Sequence, residues 1–82
     1  MDRTDAFEKV TRIARDVFEN DTIVLTDATT AADVEEWDSL AHLSLVSDIE
    51  AEFDIKFTLS EITDLQNIGE LIDAILKHVH KK

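Results

Sequence analysis

Asp38-Ser39-Leu40 places a hydroxyl beside a carboxylate, with His42 three residues further on and Trp37 just before. Three kinds of chemistry could use these groups. Asp38, Ser39 and His42 could be a hydrolytic centre. His78 and His80, with the many acids, could hold a metal. Ser39 could also have no chemistry of its own, and serve as a helix cap or as a point of attachment.

Hydrolysis asks for more than the residue types. The acid must stand behind the imidazole, and an oxyanion hole must face the serine. Here Asp38 stands beside Ser39. A nucleophile elbow needs glycine around the serine, and the single glycine, Gly69, is far along the chain. His42 reads as a solvent-facing helix residue. His78 and His80 are two apart and point to different sides of a helix. The acids lack the ligand order and central glycine of an EF-hand loop. The expectation is therefore no catalytic group and no structural metal. On residue type alone, Asp38-Ser39 ahead of an apolar helix is explained by capping.

Composition narrows the partners. The chain has 82 residues, 44% of them hydrophobic, with 19 Asp and Glu against 8 Lys and Arg and a formal charge of −11. That is enough apolar material for one small domain with a single core. The charge repels phosphate backbones and anionic lipid, so the expected partners are basic proteins, with no nucleic acid and no membrane insertion. There is no cysteine, and charges interrupt the apolar residues near Asp2, Arg3 and Asp5. The reading is a cytoplasmic chain without a signal peptide.

Four elements would position these groups. Phe7, Val10, Ile13, Ala14, Val17 and Phe18 fall at steps of three and four, which predicts a helix from about Thr4 to Glu19 with Thr4 as cap. Residues 20–37 lose that period. Their apolar members, Ile23, Val24, Leu25, Val34 and Trp37, predict a loop pinned across the helices. A second helix runs from Ser39, capped by Asp38, to Glu52 or Phe53. Its apolar face is Leu40, Leu43, Val46, Ile49 and Phe53, extended by Leu45. Ile55 and Phe57 could form a short strand, but it would have no partner. Thr58 and Glu61 have capping-box spacing and predict a short third helix. Asn67 and Glu70 repeat it ahead of a last helix that ends in the basic run 77–82. The architecture expected is all-α: a small bundle of three main helices and one short one, spanning residues 1–82 as a single domain with a basic tail.

That order, with Asp38-Ser39-Leu40 at a helix mouth after a long loop, resembles the acyl carrier protein family. The segments IEAEFDIKF and ITDLQNIGELIDAI extend the resemblance over nearly the whole chain. It implies that Ser39, flanked by Asp38 and Leu40, carries 4′-phosphopantetheine transferred from coenzyme A by a phosphopantetheinyl transferase. It implies a monomeric, non-catalytic carrier of acyl thioesters for fatty acid, polyketide or related biosynthesis. Synthases and acyl-transferring enzymes with basic patches would dock on Glu35, Glu36, Asp48 and Glu52. The acyl chain would shelter among Leu43, Val46, Ile49, Phe57, Leu59, Leu65, Ile68 and Ile72. A helix start suits a phosphodiester, because free N–H groups and the positive end of the dipole meet it there.

Some residues depart from the fatty-acid-synthesis pattern. Ser44 and Ser47 are neutral on the second helix, and Lys56 adds a positive charge near its end. They point to a dedicated carrier in a secondary pathway. The alternatives are a peptidyl or D-alanyl carrier and an acidic helical interaction module in which Ser39 is only a cap.

Overall fold

The computed structural model describes residues 2–80. The helices are α1 (Arg3–Val17), α2 (Ser39–Phe53), α3 (Leu59–Asp64) and α4 (Ile68–His80). No strand occurs among the described residues, so the chain is all-α with three long helices and one short one. Lys81 and Lys82, the end of the expected basic tail, lie outside the described residues.

Helix α1 begins earlier than the sequence suggests. Asp2, not Thr4, is its cap, because the Asp2 carboxylate accepts the Asp5 N–H at 2.9 Å. Both residue types can cap, and the extended backbone at residue 2 decides between them. The helix buries Ala6, Val10 and Ala14, with its C-cap Phe18 buried beyond them, and packs against α2 and α4. Arg3 joins α1 to the loop and α4 through Asp27, at 3.1 Å, and Asp73. Its guanidinium pKa is raised, first by the Asp73 hydrogen bond and then by that to Asp27.

The long loop is pinned, as its apolar residues imply. Ile23, Leu25, Val34 and Trp37 are buried, while Val24 is exposed. Two donors of the first turn of α4 reach loop carbonyls: Ile68 N–H to Thr29 O at 3.0 Å and Gly69 N–H to Asp27 O at 2.9 Å. The approach is close at Gly69, where a Cβ would lie 3.0 Å from the Asp27 oxygen. The loop thus satisfies helix-end donors that α4 cannot satisfy itself.

The apolar face of α2 is narrower than its spacing predicts. Leu45, Val46, Ile49 and Phe53 are buried, but Leu40 and Leu43 are exposed. After α2 the chain turns through Asp54 in the left-handed region at φ 54°. Asp enters that region more easily than most residues. Ile55 and Phe57 then return to the core. Their backbone is held by α2 itself: Glu50 O accepts the Ile55 N–H at 3.1 Å, and Glu50 Oε2 accepts the Phe57 N–H at 2.8 Å.

Helix α3 starts with the expected capping box. Thr58 Oγ1 accepts the Glu61 N–H at 3.1 Å, and Glu61 Oε1 accepts the Thr58 N–H at 2.9 Å. No α3 residue is fully buried. A helix this short cannot stand alone, so its neighbours hold it in place.

Candidate functional site

Ser39 is the first residue of α2, and Asp38 is its cap in extended conformation. Asp38 Oδ1 accepts the Ala41 N–H at 2.8 Å, and its carbonyl accepts the His42 N–H at 2.8 Å. The first-turn N–H groups of Ser39 and Leu40 have no intrahelical acceptor by geometry. No acid occupies the first turn of α2 itself, so the Asp38 cap is the acid at the positive end of its dipole. Ser39 is exposed. Its hydroxyl makes no hydrogen bond to the other described residues, so it is accessible and chemically unengaged.

A groove of about 610 Å³ runs from Ser39 between α2 and α3, lined by Trp37, Asp38, His42, Leu43, Leu59, Ile62, Thr63, Leu65, Gln66 and Ala31. Leu43 and Leu59 are exposed on its rim, and Leu40 is exposed beside Ser39. This apolar surface is a consequence of the narrow buried face of α2.

Trp37 and His42 form the inner wall. Trp37 is buried at 6% exposure and stacks at a tilt near Phe18, with ring centroids 6.1 Å apart. Its Nε1–H donates to His42 Nδ1 at 3.1 Å. Because indole N–H can only donate, Nδ1 must accept and the proton sits on Nε2. His42 Nε2–H then donates to the Ile62 carbonyl of α3 at 3.1 Å. His42 is therefore partly buried and bonded at both nitrogens, not the solvent-facing residue its position suggests. With both nitrogens committed, it has none left to take a proton from Ser39.

The other end of α3 meets α4. His78 Nε2 lies 2.8 Å from Glu61 Oε2 and 3.0 Å from Oε1, and its ring meets Phe57 edge-on at 5.3 Å. The Glu61 carboxyl is held below the ordinary carboxylate range, chiefly by the Thr58 backbone N–H and also by His78, against burial acting upward. Among the described residues, no group of three or more His, Asp and Glu side chains converges as a metal site would.

The residues expected to shelter an acyl chain divide. Leu43, Leu59 and Leu65 line the groove. Val46, Ile49, Ile68 and Ile72 are closed into the core at 2% exposure or less, and Phe57 is buried against His78. None of these five lines the groove. The acids around Ser39 are exposed. Glu36 accepts from Asn20 at 3.1 Å, and Glu52 lies 3.8 Å from Lys9. Spacing could not reveal the roles of His42, His78 and Glu50, whose partners lie on other elements. The one usable signal was Trp37, since a buried indole N–H needs an acceptor.

Residues 8–75 match the family model described as a phosphopantetheine attachment site. The structure is similar to the solution structure of holo acyl carrier protein from Geobacter metallireducens. Identity to it is 42%, over 90% of this chain and 85% of that one, with a TM-score of 0.85. It is also similar to the crystal structure of an acyl carrier protein from Thermotoga maritima, at 25% identity over 99% of this chain and 94% of that one, with a TM-score of 0.87. Comparison with curated proteins finds no match. An accessible hydroxyl at an open helix start fits a covalent phosphodiester, and the groove beside it has room for an arm. The chain belongs to the phosphopantetheine-attachment family and is an acyl-carrier-type domain, with covalently attached phosphopantetheine as its cofactor.

Proposed function

We propose that Ser39 is the attachment residue and that the protein delivers acyl intermediates to partner enzymes. The observation that carries this is the exposed, unengaged Ser39 hydroxyl at the first position of α2, next to a groove. Ser39 supplies the oxygen of the new phosphodiester. The N–H groups of Ser39 and Leu40 and the helix dipole favour the negative charge there. Asp38 fixes the helix start from the other side through its bond to Ala41. When bound, the group supplies a thiol on a flexible arm, which holds an acyl group as a thioester.

Partner enzymes read the exposed face around the serine. Leu40 and Leu43 offer an apolar anchor, and Glu35, Glu36, Asp48 and Glu52 offer charge to basic patches. The chain acts as a monomeric cytoplasmic carrier with no reaction of its own. Among the described residues, no helix is long and apolar enough to cross a membrane. Neutral Ser44 and Ser47, both exposed on α2, support a dedicated carrier in a secondary pathway over general fatty acid synthesis.

The test is a thiol assay. The chain has no cysteine, so any thiol must come from the arm. After incubation with coenzyme A and a broad-specificity transferase, then desalting, it should react with one equivalent of a maleimide. No gain of thiol with an active transferase would contradict the reading and favour an interaction module capped by Ser39.

A further inference from the structure

The groove beside Ser39 has a polar inner wall that is locked shut. Trp37 Nε1–H, His42 and the Ile62 carbonyl form one continuous chain of hydrogen bonds from the loop through α2 to α3, at 3.1 Å for each link. Val46, Ile49, Ile68 and Ile72 do not line the groove and have almost no exposure. The groove from Ser39 runs between α2 and α3, so a chain of methylenes entering the core from it would have to part the two helices that the His42–Ile62 bond joins. Parting the helices breaks the His42–Ile62 link and strips the Ile62 carbonyl of its partner in a half-buried place, which is costly, while the Trp37 N–H keeps the His42 ring in the tautomer that makes this link. A small or polar acyl group needs no such passage, because Asp38, Thr63 and Gln66 line the groove itself.

The geometry points to His42 and Trp37 as the residues that set the cargo: the latch keeps long alkyl chains out of the core, and the carrier takes short or polar acyl groups that lie along the groove. This rests on Ser39 as the attachment residue. His42 and Trp37 act as positioning residues, since they hold α3 against α2 and do not touch the phosphodiester.

The test loads the full chain from acetyl- and from octanoyl-coenzyme A with a broad-specificity transferase, and intact mass confirms loading. Hydroxylamine cleavage of each thioester is then compared with the same acyl group on free pantetheine. In the wild type, the octanoyl thioester should be cleaved as fast as its free counterpart. In Trp37→Phe, which keeps a ring and loses only the N–H, and in His42→Ala, it should be cleaved about tenfold more slowly, as the opened helices take in the chain. His42→Gln, with both an acceptor and a donor on its amide, should behave as the wild type, which a merely structural role for the imidazole would not produce. Circular dichroism checks each fold, and if His42→Ala does not fold, Trp37→Phe decides. An octanoyl thioester already protected in the wild type, or one equally exposed in Trp37→Phe, overturns the latch. Failure of the wild type to load from either coenzyme A thioester overturns instead the reading of Ser39, and the latch with it.

Discussion

His78 Nε2 lies 2.8 Å from Glu61 Oε2, and this contact ties α3 to α4. Glu61 also closes the capping box with Thr58. Its folded pKa lies below the ordinary value, so it contributes stability that is present above that value and lost as pH falls through the depressed one. Acidification should therefore release α3 early. Amide exchange at Leu59–Asp64 should accelerate in acid before that of α1 or α4, and Glu61→Gln should show the fast exchange already at neutral pH. Uniform loss of protection over all four helices would show that this contact does not set the docking of α3.

Gly69 is the next test, because it is where the loop meets α4. Alanine is ordinarily better than glycine in a helix, by about 1 kcal/mol. Here its Cβ would meet the Asp27 oxygen at 3.0 Å and the Asp27 Cβ at 3.2 Å. Both belong to a loop segment already bonded to Gly69. Crowding of this kind costs about 1–3 kcal/mol. Gly69→Ala should thus lower stability in urea unfolding, and a more stable variant would show that the loop yields freely.

Trp37 is buried on the core side and bonded on the groove side. Trp37→Ala should cost about 3–5 kcal/mol and slow modification of Ser39, since α2 begins just after it. Its fluorescence should be blue-shifted and poorly quenched by iodide. Emission at the fully solvated wavelength would contradict the burial.

Asp48 tests the docking face, since it is exposed on α2. Asp48→Lys should slow loading by the transferase, and wild-type loading should slow as salt rises. Melting should barely move, because such surface changes usually shift stability by no more than about 0.5 kcal/mol. Glu8→Lys, on α1 and away from Ser39 in sequence, should leave the rate unchanged. Equal rates for both variants, with no salt effect, would mean that recognition rests on Leu40 and the backbone around Ser39.

What could be read from the chain alone was what depends on near neighbours. Asp38 caps α2, and Thr58 and Glu61 form their box, because each bond spans three residues. Trp37 could be assigned to the core because a large aromatic in a polar loop has few other places to go. The choice of Asp2 over Thr4 could not be read, since both side chains suit a cap. Leu40 and Leu43 followed helical spacing, yet spacing alone does not say how wide the neighbouring helices cover a face. The bonds of His42 to Ile62 and of His78 to Glu61 join residues on different helices. No local pattern encodes them, and they are what turns a helix start into a grooved site.

The most direct measurement is the intact mass of the wild type and of Ser39→Ala after incubation with coenzyme A and an active transferase, with Ser44→Ala and Ser47→Ala as controls on the same helix. The account predicts one phosphopantetheine on the wild type and on both controls, and none on Ser39→Ala. Modification of Ser39→Ala, or its loss in Ser44→Ala or Ser47→Ala with helicity intact, would contradict the assignment of Ser39 as the attachment residue.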